Sequence, residues 1–402
     1  MIANKTVLRH DYLRRLRGGK DVTHTVKVIT GMRRSGKSTL MAQFIEELKD
    51  SGVSGDRIFF FDLESKDYEN VNDFRDLNKV IASRINTKDR VYVFLDEVQK
   101  VEGWERTVNS LMTDYDADIY VTGSNAYLLS SELATYMSGR SVEIKMLPLS
   151  FKEYLELHPA NEKKDRNTRF GEYMVYGALP IIDPDNTDRE FISGQLEGVY
   201  NTVLVKDVQR RLRAKNIVDL EAVSKFLYSN IGNLTNALNI SKHSGIAPAT
   251  VKSYVNALEE AYLFYKVYRF DIMGNRILKS AEKYYASDTG IRNTILGGGI
   301  SNTGRVLENI VFLELIRRGY KVVIGSYRDM EIDFTAQRWD GTKYFQVAET
   351  MIASSTAERE VRSLDSVNDN YPKTILTMDN MIINPGKGIR HLNVIDWLLG
   401  SE

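Results

Sequence analysis

A glycine-rich loop able to hold phosphate groups lies close to the start of the chain, with the sequence GMRRSGKST at residues 31–39. It matches the pattern G-x-x-x-x-G-K-[ST] without deviation, between an apolar run and a segment of helical periodicity. In such a loop the backbone amides and the N-terminus of the helix bind phosphates. We expect Lys37 to reach the β- and γ-phosphates of ATP and Ser38 to ligate Mg²⁺. The expected nucleotide-binding residues are Gly31, Met32, Arg33, Arg34, Ser35, Gly36, Lys37, Ser38 and Thr39.

Two adjacent carboxylates follow a second apolar run, at Asp96 and Glu97 in the segment RVYVFLDE. Strands of an open parallel sheet present ligand-binding residues at their carboxyl ends, where a phosphate loop also lies. We therefore expect Asp96 to hold Mg²⁺ and Glu97 to polarise the water that attacks the γ-phosphate. The alternative is that the pair only caps the next helix.

Three arginines add positive charge that phosphate chemistry can use. Arg140 is a candidate for stabilising the transition state of phosphoryl transfer, either within the chain or across a subunit contact. The alternative for Arg140 is an ordinary surface or ion-pairing role. Arg33 and Arg34 lie inside the loop, where they contact either the nucleotide or a neighbouring carboxylate.

These candidates need a scaffold that brings the ends of several strands together. Between residues 22 and 146 short apolar runs alternate with amphipathic segments. Continuous apolar strands separated by helices are typical of a parallel sheet covered on both faces. The expected fold class is therefore α/β, with a three-layer αβα domain around the phosphate loop. The predicted strands are Val26–Thr30, Arg57–Asp62, Val91–Leu95, Asp118–Thr122 and Val142–Met146, and the predicted helices are Ser38–Lys49, Val71–Ile85, Gly103–Tyr115 and Ser124–Met137.

The pattern changes near Leu147, and the rest of the chain predicts two further regions. Residues 150–275 are mostly helical in periodicity, and an alternating arm at 262–270 follows the last helix of this region. Helices followed by a β-wing resemble a winged helix. Residues 276–402 return to short strands and predict a small α/β unit. The expected domains are 1–149, 150–275 and 276–402.

Four segments together resemble a prokaryotic family of the AAA+ superfamily, namely GMRRSGKST, VYVFLDEVQKVEGWE, YVTGSNAYLLSS and SGRSVEIKMLPLSFKEYL. Members of that family join an N-terminal ATPase domain to a C-terminal domain of unknown function. Residues 177–180, 285–291 and 307–309 match recurrent segments of the C-terminal part. The resemblance implies a polar sensor of the γ-phosphate at Ser124 or Asn125, although either residue would also serve as a helix cap. The catalytic candidates are thus Lys37, Glu97, Asn125 and Arg140.

A second set of residues resembles the metal site of the restriction-endonuclease-like fold. There a helix glutamate, a strand aspartate and an (E/Q)-x-K strand bind Mg²⁺ and activate water. Glu308, Asp333 and Gln346 take the three ligand positions, whereas Ala348 stands where the lysine is expected. An amide is a poorer metal ligand than a carboxylate, and alanine carries no charge. The resemblance therefore implies a degenerate and catalytically inactive site.

The helical region also offers a possible contact for a DNA or protein partner. Residues 241–254 resemble a helix-turn-helix, whose second helix would present Thr250, Lys252, Ser253 and Asn256 to the groove. That helix has one base, Lys252, against two acidic residues, so an interaction or structural role is favoured over DNA binding. A basic run precedes it at Lys206, Arg210, Arg211, Arg213 and Lys215, and a solvated helix face is the favoured interpretation.

Composition narrows the function classes further. The chain has 402 residues, 54 Lys+Arg balanced by 54 Asp+Glu, and no cysteine. The absence of cysteine excludes disulfides, thiolate metal sites and a cysteine nucleophile. No run approaches the ~18 apolar residues of a membrane span, and the basic start lacks the apolar core of a secretory signal. We expect a cytoplasmic protein without a membrane partner, and an oligomer is possible.

The sequence predicts an ATP-binding protein of AAA+ type whose Mg²⁺-dependent hydrolysis of ATP is coupled to domain rearrangement. The alternative is a nucleic-acid-binding module in which ATP only gates affinity. A metal-dependent nuclease is a further, disfavoured alternative because two positions of its motif are altered.

Overall fold

The computed structural model describes residues 6–126, 139–209, 212, 216–300 and 302–400. The chain divides into two compact units, Met1–Met146 with Glu260–Tyr262, and Leu147–Glu259 with Leu263–Glu402. Most of the helix predicted at 124–137 lies outside the described residues. In the described part of the chain, no helix combines the length and apolar character needed to cross a membrane.

The first unit is built on a five-stranded sheet in which every neighbouring pair is parallel. Its strand order is β2-β3-β4-β1-β5, so the chain crosses over between strands. Every residue of β1, β3 and β4 is buried, as the continuous apolar runs predict. The α/β prediction is confirmed. The strands are β1 (Val26–Gly31), β2 (Ile58–Asp62), β3 (Val91–Asp96), β4 (Ala117–Gly123) and β5 (Ser141–Met146).

Helices cover both faces of this sheet because successive strand residues point to opposite sides. Phe94 and Tyr120 stack on one face at a ring-centroid distance of 4.7 Å, in the core that also holds Phe44. The neighbouring Val93 and Val121 join the other core, together with Leu77 and Trp104. The helices are α1 (His10–Gly19), α2 (Lys37–Asp50), α3 (Phe74–Arg84) and α4 (Trp104–Asp114).

The second unit combines a run of helices with a seven-stranded mixed sheet of order β12-β11-β10-β9-β8-β6-β7. The strands are β6 (Phe264–Asp271), β7 (Arg276–Ala286), β8 (Lys321–Tyr327), β9 (Met330–Arg338), β10 (Gly341–Val347), β11 (Lys373–Thr377) and β12 (Ile389–Asn393). The helices are α5 (Phe151–Leu157), α6 (Arg166–Tyr176), α7 (Arg189–Thr202), α8 (Ile217–Ser229), α9 (Ala237–Ser244), α10 (Pro248–Glu260), α11 (Thr289–Ile295), α12 (Thr303–Arg317), α13 (Ser354–Asp365) and α14 (Val394–Leu398). A π-helical segment, Val203–Gln209, directly follows α7.

The arm expected to form the wing of a winged helix belongs to the large sheet. It forms β6, which pairs antiparallel with β7 and parallel with β8. The predicted hairpin is confirmed, although alternating residues do not predict the sheet that the hairpin joins. The winged helix stays a prediction. The domain boundary expected between residues 275 and 276 falls inside this hairpin, and β6 to β12 form one sheet.

Two family-typical segments of the second unit pack against each other. Asp288 is buried and caps α11 by accepting from the backbone N–H of Ile291 at 2.9 Å. Its other oxygen accepts from the backbone N–H of Ala178 at 2.7 Å. Gly177 has φ +79° and leaves room for this carboxylate, since a Cβ there would lie 2.3 Å from Asp288 Oδ1. The segments 177–180 and 285–291 thus form one contact.

This buried carboxyl makes stability depend on pH. Burial raises the pKa of Asp288 to about 6, although backbone hydrogen bonds act in the opposite direction. The folded state thus holds the proton more tightly than the unfolded state, and this contribution to stability is lost as pH rises from about 4 through 6. Relative to Asp288→Asn, the free energy of unfolding of the wild type should fall by about 2 kcal/mol over that range.

Urea unfolding of both proteins at several pH values between 4 and 7 measures this difference. Asp188→Asn is the matched control, because Asp188 caps α7 at an exposed position by accepting from the N–H of Phe191. A difference between wild type and Asp288→Asn that stays constant across the range would contradict the prediction.

Candidate active site

The phosphate loop has the backbone geometry that its two glycines allow. Gly31 ends β1 with φ +146°, and a Cβ there would lie 2.2 Å from the backbone oxygen of Met146. Gly36 has φ +98° and directly precedes α2. Both conformations are unfavourable for residues with a side chain. The loop therefore opens onto the N-terminus of α2, as the motif predicts.

Lys37, the first residue of α2, is buried. Its Nζ donates to the backbone oxygens of Gly31 at 3.1 Å and Met32 at 3.2 Å. The same nitrogen lies 3.7 Å from Glu97 Oε1. The structure thus brings together the lysine of the loop and the second carboxylate of the β3 segment.

Asp96, the last residue of β3, is held by two hydroxyl groups. Thr122 Oγ1 on β4 donates to Asp96 Oδ1, and the Ser38 hydroxyl also hydrogen-bonds to this carboxylate. Burial raises the pKa of Asp96, while these two hydrogen bonds act in the opposite direction. A hydroxyl and a carboxylate that meet beside a phosphate loop are the protein ligands expected for Mg²⁺. The two residues predicted as metal ligands therefore fit that ion.

Glu97 follows Asp96 in a left-handed backbone conformation, with φ 55° and ψ 48°. Its N–H donates to Thr122 Oγ1 at 3.0 Å, which fixes this unusual backbone. Ser124 Oγ donates to Glu97 Oε2 at 3.3 Å. Of the two predicted sensors, Ser124 is thus in contact with the carboxylate. Asn125, the next residue, is partly exposed.

The three arginines predicted to act on phosphate have different surroundings in the structure. Arg33 Nη1 lies 3.6 Å from Glu64 Oε1, so its neighbour is a carboxylate of the same sheet edge. Arg34 is exposed and has φ 65°. Arg140 precedes β5, and its backbone oxygen accepts from the N–H of Val26 at the start of β1.

Arg140 therefore lies at the opposite end of the sheet from the phosphate loop. The two strands are parallel and six residues long, which at about 3.3 Å per residue separates their ends by about 20 Å. Arg140 is therefore too far from the phosphate loop of its own chain to stabilise the transition state there, and this expectation is wrong. A role across a subunit contact stays a prediction.

Sequence reasoning missed three residues of this site. The Arg9 side chain is buried, and its Nη1 donates to the backbone oxygen of Ser35 in the loop at 3.1 Å. Thr122 links Asp96 to the backbone of Glu97. Gln99 Nε2 donates to Glu97 Oε2 and lies 3.2 Å from Ser124 Oγ. Gln99 and Thr122 belong to the quoted strand-end segments, whereas no motif points to Arg9.

The second unit contains the other predicted site. Asp333 on β9 and Gln346 on β10 are adjacent, because the Asp333 N–H donates to Gln346 Oε1 at 3.2 Å. Glu308 on α12 accepts from Tyr285 Oη at 2.6 Å. Lys283 on β7, which sequence reasoning missed, donates to Glu308 Oε1 at 3.0 Å.

Lys283 is a buried cation among several acidic groups, since its Nζ also lies 2.9 Å from Glu331 Oε1. Burial lowers the pKa of Lys283, but Glu308, Asp333 and Glu331 outweigh it and raise the pKa above its ordinary value. Burial, reinforced by Glu308, raises the pKa of Asp333 well above its ordinary range. The ammonium thus neutralises part of the acidic charge at this site.

The region expected to contact DNA or protein is described only in part. The predicted recognition helix is α10, on which Lys252, Ser253 and Asn256 are exposed. Lys206 lies in the π-helical segment, whereas the other members of the basic run, Arg210, Arg211, Arg213 and Lys215, lie outside the described residues. Contact with nucleic acid stays a prediction.

Two protein families and an uncharacterized bacterial protein match the sequence of this chain. The family described as "AAA domain" matches residues 23–155, and the one described as "Domain of unknown function (DUF8612)" matches residues 167–301. An uncharacterized protein of Haemophilus influenzae is 38% identical over 401 residues, which is 98% of each chain. The chain belongs to a prokaryotic family of AAA-domain proteins. The resemblance to a prokaryotic family with an AAA domain and a C-terminal domain of unknown function is confirmed.

A second relative extends the family to the archaea. An uncharacterized protein of Methanocaldococcus jannaschii is 30% identical over 338 residues, which cover 78% of this chain and 73% of that protein.

The AAA domain at 23–155 contains the phosphate loop, Asp96, Glu97 and Ser124. The chain is thus an ATP-binding protein of AAA+ type.

Solved structures give weaker matches. The ORC1 protein of Aeropyrum pernix in complex with DNA has a TM-score of 0.33 and 10% identity, over 73% of this chain and 93% of that one. Cdc6p of Pyrobaculum aerophilum has a TM-score of 0.33 and 11% identity, over 78% of this chain and 96% of that one. TM-scores this low do not establish a fold. The fold of the first unit is established by its own parallel sheet of order β2-β3-β4-β1-β5.

Proposed function

We propose that this protein hydrolyses ATP with Mg²⁺ and couples that reaction to a rearrangement of its domains. The observation that carries the proposal is the distance of 3.7 Å between Lys37 Nζ and Glu97 Oε1. The lysine predicted to bind phosphate thus lies beside Glu97, the residue predicted to take the proton of the attacking water. In the same site Ser38 contacts Asp96.

Each residue then has a distinct part in the reaction. The amides of residues 31–39 bind the phosphates, and Lys37 neutralises their negative charge. Ser38 and Asp96 would hold Mg²⁺, which when bound supplies positive charge to the phosphate oxygens. A water oxygen bonds to the γ-phosphorus while the bond to the bridging oxygen of ADP breaks. Glu97 takes the proton of that water, and ADP and phosphate are the products.

The test begins with the purified full-length chain, which should bind ATP and release phosphate only when Mg²⁺ is present. Lys37→Met should weaken ATP binding by about 10- to 100-fold, because it removes a charged hydrogen-bond donor. Isothermal titration calorimetry measures the affinity, and phosphate release measures turnover.

Lys49→Met is the matched control, since Lys49 lies on the same helix, is exposed and pairs with Glu46. It should bind ATP as the wild type does. The proposal fails if the wild type neither binds nor hydrolyses ATP, or if Lys37→Met binds it with unchanged affinity.

For the second unit we infer, as the altered motif predicts, that the nuclease-like site is inactive. The position of Lys283 supports this, because its ion pair with Glu308 occupies one of the two carboxylates that a metal would need. A plasmid-nicking assay on the wild type and Asp333→Ala tests it. Cleavage that is lost in the variant would overturn the inference.

A further inference from the structure

Gln99 connects the ends of two central strands of the AAA domain. It lies in a short 3₁₀ turn, Val98–Lys100, which begins directly after Glu97. Its Nε2 donates to Glu97 Oε2, after β3, and lies 3.2 Å from Ser124 Oγ, after β4. Ser124 Oγ donates to the same Glu97 oxygen at 3.3 Å. Two polar groups thus donate hydrogen bonds to Glu97 Oε2.

The orientation of the Gln99 amide is set by the carboxylate. The reverse orientation would place Gln99 Oε1, an acceptor, against the acceptor Oε2 of Glu97. In the observed orientation Gln99 Oε1 is buried and has no hydrogen-bond partner among the described residues. An unsatisfied buried acceptor is unfavourable, so the contact with Glu97 determines how this side chain lies.

The two oxygens of Glu97 consequently have different surroundings. Oε2 receives hydrogen bonds from Gln99 and Ser124. Oε1 is the oxygen that faces Lys37, at 3.7 Å, and therefore the phosphate loop. The backbone of Glu97 is held separately, through its N–H and the Thr122 hydroxyl.

We propose that Gln99 is a positioning residue, which holds Oε2 of Glu97 so that Oε1 takes the proton from the attacking water. This assignment rests on the proposed hydrolysis of ATP. Gln99 acts on Glu97 and not on the nucleotide. Removing it should therefore lower the turnover number and leave the affinity for ATP unchanged.

Gln99→Met tests the assignment, because methionine has a similar length but cannot donate a hydrogen bond. Loss of one hydrogen bond to a charged group predicts a kcat about tenfold lower, with KM and the Kd for ATP unchanged. Lys100→Met is the matched control, since Lys100 is the exposed neighbour in the same turn. It should keep the wild-type kcat.

A double-mutant cycle separates positioning from a merely structural role. If Gln99 acts through Glu97, then Gln99→Met should cause no further loss of turnover in the Glu97→Gln background. A Gln99→Met protein with wild-type kcat, or an equal loss in both backgrounds, would overturn the assignment while the ATPase proposal stands. Absence of turnover in the wild type would overturn both.

Discussion

Replacing Glu97 with glutamine should leave ATP bound but reduce its hydrolysis by about 100- to 10,000-fold, the range expected on losing a general base. Glutamine has nearly the same shape as glutamate, yet its amide does not accept the proton of the attacking water. The phosphate loop and Lys37 stay unchanged, so the Kd for ATP should change by less than the turnover number. Titration calorimetry and phosphate release measure the two quantities on the same preparation.

Glu102→Gln is the matched control for this substitution. Glu102 lies in the same segment after β3, has an exposed side chain and should hydrolyse ATP as the wild type does. Turnover by Glu97→Gln at the wild-type rate would show that another group takes the proton. Loss of ATP binding would instead show that Glu97 supports the loop rather than the reaction.

The phosphate site could be predicted because its chemistry is local. The motif supplies glycine at Gly31 and Gly36, two positions of positive φ, and a helix starts directly after Gly36. Asp96 and Glu97 could be predicted because a buried parallel strand ends there. For Arg140 a local motif is not enough, because the motif does not show at which edge of the sheet the residue lies. Its place before β5 agrees with the prediction, but in a parallel sheet the start of β5 lies at the edge opposite the phosphate loop.

Contacts between distant segments could not be predicted in the same way. The alternation over 262–270 indicates a strand, but its partners β7 and β8 are set by packing of the whole sheet. Lys283 is similarly hidden, since it is separated by 25 residues from Glu308, with which it pairs. The motif therefore does not predict which acidic groups of this site are ion-paired, because the pairing lysine comes from another strand.

The largest stability effect is expected at Gly290, in the first turn of α11. A Cβ there would lie 2.0 Å from the backbone oxygen of Tyr176 and 2.8 Å from the backbone nitrogen of Gly177. Backbone atoms do not move aside as a flexible side chain does, so Gly290→Ala should cost about 3 kcal/mol or more. Urea unfolding of the purified variant measures this loss.

Gly194→Ala makes the comparison decisive, because both glycines lie in helices of the second unit and the substitution is the same. At Gly194 an added Cβ meets nothing within 4 Å, so alanine should stabilise the helix by about 0.5 to 1 kcal/mol. The two variants should therefore shift the urea midpoint in opposite directions. If Gly290→Ala does not yield folded protein while Gly194→Ala does, the conclusion is the same. Equal midpoints would show instead that the contact between residues 176–177 and α11 adjusts without cost.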